Sequence, residues 1–217
     1  MKVEVFSDVV CPWCYLGKRR LETAVEDFDG TVEVTWRAFQ LQPDAPRFGE
    51  PGAGEPSVTA LQARGYPPEQ IEEMQGRLTA LAAEEGLDYA LDRTHHVNSF
   101  DAHRLAKASA RHGRADGMVE RLFRAQLVEA LRVDDPAVLA RLAEEVGVPA
   151  GTPAEDEADA AAVIADLEEA QAIGVNGVPF FVLDRRFAVS GAQPAELLGR
   201  ALAQAATVRE SSAESSS

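Results

Sequence analysis

Cysteine is nearly absent from the 217 residues: there are two, Cys11 and Cys14, and both stand in one tetrapeptide. Without a third, a framework of structural disulfides is excluded. A single bridge across a two-residue spacer closes so short a loop that it removes little unfolded-state entropy. Long apolar runs are missing as well, since no stretch approaches the roughly 18 consecutive apolar residues of a membrane span. The chain opens on a strand-like pattern, without the basic and apolar stretches of a signal peptide, so the expected address is the cytoplasm, with no membrane partner. Basic charge is in deficit: 21 Lys and Arg against 36 Asp and Glu give a formal charge of −15, which repels nucleic acid and excludes it as the expected partner. What remains is 46% hydrophobic, ample for a packed interior. Acidic residues concentrate in the helical-looking stretches 69–85 and 155–169, where a solvated outer face is the default expectation.

Periodicity divides the chain into three parts. Val3 to Val10 reads as a buried strand, Pro12 to Asp27 as a helix, and Thr31 to Phe39 as a second strand with Val32, Val34, Trp36 and Ala38 on one face. The Pro- and Gly-rich segment Pro43 to Pro56 breaks the pattern. Helical spacing follows near Pro68–Gly86, Ser99–His112, Asp116–Ala130 and Pro136–Val146, and again over Pro153 to Ile173. Phe180–Leu183 and Phe187–Ser190 then read as a hairpin turning at Asp184–Arg186, and Gln193 to Ala206 as a last amphipathic helix. After Thr207 the Ser-rich acidic tail is expected to be disordered.

The tetrapeptide Cys11-Pro12-Trp13-Cys14 falls at the junction of the first strand and the first helix. A sulfur delivered to a helix N-terminus meets unpaired backbone N–H groups and the positive end of the helix dipole, both favouring a thiolate. Cys11 is therefore the expected nucleophile, with Cys14 on the same face to resolve a mixed disulfide. Pro12 fits a first helical position, where its missing N–H costs nothing. A zinc site shared with His95 and His96 is the weaker reading, because structural zinc sites draw on two compact ligand clusters; no metal is expected.

The order β-α-β, helical segment, α-β-β-α is that of a thioredoxin fold interrupted in its middle. The expected class is α/β, a thioredoxin-like fold with an all-helical domain inserted after the first β-α-β unit. Its parts are 1–45 and 166–206 for the thioredoxin-like domain, 46–165 for the insertion and 207–217 for the tail. Val178-Pro179 precedes the third strand, where this fold places a cis proline beside the cysteine pair and leaves the preceding backbone open to an extended substrate.

Four segments carry a closer resemblance: Phe6-Ser7-Asp8-Val9-Val10-Cys11-Pro12-Trp13-Cys14-Tyr15-Leu16-Gly17, Phe39-Gln40-Leu41-Gln42-Pro43, Asn98-Ser99-Phe100-Asp101-Ala102-His103-Arg104-Leu105, and Gly174-Val175-Asn176-Gly177-Val178-Pro179-Phe180-Phe181. In this order they resemble the DsbA-like thioredoxin family and, within it, the FrnE-like branch. The resemblance implies a thiol-disulfide oxidoreductase without cofactor, acting on a disulfide- or dithiol-containing protein or small molecule, with its site where the two domains meet. It brings Asn98, Ser99 and His103 toward the cysteines, although Asn98 or Ser99 is also a good N-cap and His103 can simply lie on the helix surface. Phe39 and Trp13 are expected to wall the site, or else to be ordinary packing. A homodimer stays open.

The same architecture is shared with 2-hydroxychromene-2-carboxylate isomerases and kappa-class glutathione transferases. These imply an alternative: a glutathione-dependent isomerase or transferase acting on a small aromatic or polyketide-like molecule. They typically keep a single Ser or Cys where the pair would stand, since glutathione supplies the thiol. Cys14 separates the two mechanisms. A non-catalytic interaction module is the remaining class.

Overall fold

A computed structural model describes residues 1–149 and 156–214. A four-stranded sheet runs in the order β2-β1-β3-β4, with β1 (Lys2–Ser7) parallel to β2 (Glu33–Ala38) and antiparallel to β3 (Phe180–Leu183), which pairs with β4 (Phe187–Ser190). Helix α1 (Pro12–Glu26) makes the crossover between β1 and β2. Val3, Val5, Phe181 and Leu183 on one face of the sheet pack against Leu21 and Ala24 of α1 and Leu198 and Leu202 of α8 (Ala195–Glu214). On the other face Phe6 packs with Ala170 of α7 (Glu157–Ala172) and with Val175.

Between β2 and α7 come α2 (Ser57–Ala63), α3 (Pro68–Glu84), α4 (Phe100–Ala110), α5 (Ala115–Leu127) and α6 (Pro136–Val146). Leu105, Met118, Leu122, Leu139 and Leu142 give α4, α5 and α6 a core of their own. A further cluster joins Cys14, Tyr15 and Leu16 of α1 to Leu78 and Ala82 of α3 and to Val119, Phe123 and Leu127 of α5. Burial of that shared apolar surface sets the helical layer against the first helix.

Several boundaries differ from the sequence reading. The first strand stops at Ser7, not Val10, because the Asp8 side chain accepts from the N–H of Val10 at 3.4 Å and of Leu41 at 2.8 Å and turns the chain. α2 was not anticipated: seven residues after Pro56 are too few to display a period. α8 continues to Glu214, past Ala206 and over residues expected to be disordered, since each further residue of an existing helix adds a hydrogen bond without a new nucleus. The expected start of α7 at Pro153 and the last three residues of the tail lie outside the described residues. The domain boundary placed at 165 falls inside α7, one continuous helix.

Two acids assigned to a solvated face are buried. Asp159 is 3% and Asp166 2% exposed. Asp166 accepts from the Ala38 N–H at 2.7 Å and Arg37 at 3.0 Å and pairs with Lys107, while Asp159 pairs with Arg111. Asp166 can be buried because its charge and both oxygens are met, and it thereby ties α7 to β2 and α4. His103, read either as a site residue or as a surface residue of its helix, is 5% exposed, with its Nε2 3.0 Å from the Phe39 carbonyl and 3.4 Å from Asp8 Oδ1.

Helix α1 comes close to β3 at Gly17. A Cβ there would stand 2.8 Å from Pro179 Cγ and 3.3 Å from Phe181 Cζ, and the proline ring cannot rotate away. Gly17→Ala is therefore expected to cost a net 1–2 kcal/mol or so of stability in denaturant titration. Gly76→Ala, in α3 where an added methyl meets nothing within 4 Å, should be neutral or stabilising. A second expectation concerns Glu4, 8% exposed and held by Arg37 and Arg185. Burial pushes its carboxyl up, but hydrogen bonds and charge from Arg37 and Arg185 outweigh this and leave it below the ordinary glutamate value. Its contribution is present above about pH 4.5 and is lost as pH falls through the lowered value. Glu4→Gln should lower stability at neutral pH by about 1–3 kcal/mol and flatten the acid limb of the stability–pH curve.

Candidate functional site

Strand β1 and the Asp8 turn deliver Cys11 to the N-cap of α1, with φ −91° and ψ 111° and with Pro12 as the first helical residue. The turn is closed by the Cys11 N–H to the Asp8 carbonyl at 3.0 Å, and the helix opens with the Cys14 N–H to the Cys11 carbonyl at 3.0 Å. Both thiols are free, Cys11 being 4% and Cys14 1% exposed. Opposite them, the Val178-Pro179 bond is cis, and the Cys11 thiol donates to the Val178 carbonyl across 3.8 Å. The Pro179 carbonyl is not free, because it accepts from the Gly191 N–H at 2.8 Å.

The two sulfurs sit in different surroundings. Burial, then the hydrogen bond and charge of Cys11, push Cys14 well above an ordinary thiol, outweighing the Asp8 N–H and the Ser7 hydroxyl, which pull it down. Cys14 is accordingly held as the neutral thiol in the reduced protein. Beneath the pair, Tyr89 donates to the Pro12 carbonyl at 2.6 Å, and Tyr15 stacks on Phe123 with centroids 5.0 Å apart. Burial and the neighbouring sulfurs raise Tyr89 above an ordinary phenol, so its hydroxyl remains a donor to that carbonyl.

Charge is concentrated one turn further along α1. Lys18, 2% exposed, pairs with Glu22 and lies 3.2 Å from Glu120 Oε2 on α5, while Arg19 also pairs with Glu120. Burial lowers Lys18, but Glu22, Asp116 and Glu120 more than compensate and its pKa is raised. Burial likewise raises Glu120, and the Tyr15 hydroxyl at 2.7 Å, Lys18 and Arg19 bring it below the carboxylate value. These charges lock α1 to α5.

Cys11 opens onto a cavity of about 530 Å³ whose walls also include Pro12 and Trp13, Leu61 of α2, Leu78 of α3, Leu91 and Leu127. His95 and His96 line it too, brought there by pairing of segments 54–57 and 94–96: the His96 N–H donates to Glu55 O at 2.8 Å and the Ser57 N–H to Thr94 O at 2.9 Å. Among the described residues no His, Cys, Asp and Glu group is arranged to hold a metal ion. Trp13 stands at the mouth, 41% exposed.

The remaining residues singled out from the sequence are placed elsewhere. Phe39 packs against the Phe6–Ala170–Val175 cluster behind Val178, not on the cavity wall. Asn98 is occupied by the chain: its amide nitrogen donates to Ala45 O at 2.8 Å and Pro43 O at 3.2 Å, and its oxygen accepts from the Phe100 N–H at 3.0 Å. Ser99 is the N-cap of α4 but its side chain makes no capping bond. His103 lines a separate cavity of about 230 Å³ with Ser7, Trp36 and Lys107. Sequence reasoning missed the α2 and α3 residues on the cavity wall and Gln126, 2% exposed on α5. They belong to helices distant in sequence from the cysteines and carry no motif.

Among the described residues no helix is long and apolar enough to cross a membrane. The family model described as a DSBA-like thioredoxin domain matches residues 2–203. A crystal structure of a probable DsbA oxidoreductase from Streptomyces coelicolor is similar at 39% identity and a TM-score of 0.86, covering 94% of this chain and 89% of that one. An uncharacterized Bacillus subtilis protein, YwbO, is 27% identical over 146 residues, 67% of this chain and 66% of its own length, so the match spans slightly less than two thirds of that relative. A 2-hydroxychromene-2-carboxylate isomerase shares the fold at 18% identity and a TM-score of 0.70, with each chain covered completely. With a model match running from the first strand into the last helix, the chain belongs to the DSBA-like thioredoxin domain family.

Proposed function

We propose that this protein is a thiol-disulfide oxidoreductase that works through Cys11 and Cys14. The observation that carries the reading is the asymmetry of the pair: Cys11 stands at the N-cap position of α1 and opens on a cavity, while Cys14 is enclosed behind it as a thiol. In the reductive direction the Cys11 thiolate attacks a substrate disulfide, one sulfur leaves, and a mixed disulfide forms. Cys14 then loses its proton, attacks the Cys11 sulfur and releases the second sulfur, leaving a Cys11–Cys14 disulfide. The reverse sequence oxidises a dithiol, and the reduction potential sets the direction. The Val178 carbonyl faces Cys11 and offers an acceptor to an extended substrate backbone. The substrate is a disulfide- or dithiol-bearing protein or small molecule, glutathione included, and the cytoplasm is the compartment proposed.

A second reading, a glutathione-dependent isomerase or transferase, draws on one observation: the cavity beside Cys11 has the size and apolar lining of a small-molecule site. Cys14 has no task in that chemistry.

Cys11→Ser should abolish insulin reduction and dithiol oxidation, a loss of about a thousandfold or more. Cys14→Ser should instead accumulate a mixed disulfide on Cys11, visible by mass spectrometry. Full activity in both variants would falsify the proposal, and isomerase turnover that survives Cys14→Ser would establish the second reading. A further expectation follows from the raised pKa of Cys14. In the reduced native protein at about pH 8, iodoacetamide should label Cys11 and spare Cys14, because the thiolate fraction at Cys14 is below that of a free cysteine. Unfolding in denaturant should expose both.

A further inference from the structure

The cavity at Cys11 carries more chemical information than the thiol pair alone. Both sulfurs are almost wholly enclosed, so a disulfide must enter the cavity to be attacked. At about 530 Å³ it lies within the small-molecule range of roughly 300–1,000 Å³. Five leucines, two valines and Trp13 are among its lining residues and reward an apolar body.

Several of its polar side chains are incompletely matched. Gln126 donates its amide nitrogen to the His95 carbonyl at 2.8 Å, which fixes the amide orientation and leaves the buried Oε1 without a hydrogen-bond partner. A buried acceptor left unmet costs free energy, and a ligand N–H or O–H would recover it. His95 Nδ1, on the same wall, is likewise buried and unmatched. Arg64, at the C-cap of α2, and Arg77, on α3, also line the cavity, and neither forms an ion pair among the described residues. Both residues are exposed at the cavity rim, where a carboxylate can meet a guanidinium in a forked, two-bond geometry.

We propose that the substrate is a small organic disulfide with an aromatic or branched apolar body and a carboxylate. The carboxylate is held by the arginine rim, an N–H or O–H group meets Gln126, and the disulfide lies at Cys11. The proposal rests on the thiol-disulfide reading and names its substrate class. The stoichiometry is one substrate disulfide reduced by one protein dithiol. The substrate S–S bond breaks, two substrate thiols leave with the protons of Cys11 and Cys14, and two electrons pass from the protein as the Cys11–Cys14 bond forms.

Single-turnover kinetics of the pre-reduced full-length chain can test this with three probes: dithiodibenzoate, its uncharged methyl ester, and glutathione disulfide. Each rate is divided by that of the same probe with a free low-molecular-weight thiol. Dithiodibenzoate should exceed both of the others by about tenfold or more, and Arg64→Ala/Arg77→Ala should cut its advantage over the ester by a similar factor. Equal normalised rates for glutathione disulfide, or an acid-to-ester ratio unmoved by the double substitution, overturns the proposal. Calorimetric binding of dithiodibenzoate to Cys11→Ser/Cys14→Ser separates the two layers of argument. Arginine-dependent binding without any redox turnover of the reduced protein would sink the oxidoreductase reading and support the cavity chemistry, whereas turnover without arginine dependence does the reverse.

Discussion

The site depends on one steric constraint: at Gly17, α1 comes so close to the start of β3 that no side chain fits between them. The Pro179 ring occupies the place of a Cβ. That contact brings the Val178 carbonyl to the N-terminus of α1 and therefore to Cys11. Because the sheet register pairs Val5 with Phe181 and Phe6 with Phe180, the approach is also transmitted to the central strand that delivers the cysteine. A larger residue would separate the two halves of the thiol site as well as loosen a core.

A second constraint acts from the other side of α1. The helical layer is held by stacked aromatics and by charges that meet across α1 and α5: Lys18 and Arg19 on one, Glu120 on the other, with the Tyr15 hydroxyl between. Separation would leave buried charge unpaired, which is far more costly than the loss of an exposed ion pair. The same packing buries Cys14, so the clamp that joins the layers also keeps the second sulfur a thiol. The cavity lies elsewhere, between the first turn of α1, α2, α3 and the end of α5.

Much of the fold was legible from local pattern. β3, β4 and their turn appear as read, Asp184 and Arg185 adopting the positive φ values of 46° and 56° that a tight hairpin requires. α6 coincides with its expected span because Pro136 and the left-handed Gly147 mark both ends. Short or irregular elements were not legible: α2 has no period, and the Asp8 turn is invisible without knowing that Leu41 lies within reach. Nor was the destination of polar side chains. Asp166 and Asp159 read as solvated because their partners, Arg37, Lys107 and Arg111, lie far away in sequence, and His103 was unrecognisable as an internal brace for the Phe39 carbonyl.

What the sequence determined alone was the chemistry available: two thiols in one turn of a helix, no others, and a proline before the third strand. Spacing settles this, because three residues of helix return to the same face however the rest of the chain folds. Tertiary structure decided what separates the thiols in character and what can reach them. The burial of Cys14, the facing Val178 carbonyl and the cavity walled by α2, α3 and Gln126 arise only from packing elements far apart in the chain. Desolvation and steric access are properties of that assembled interior, and no local pattern encodes them.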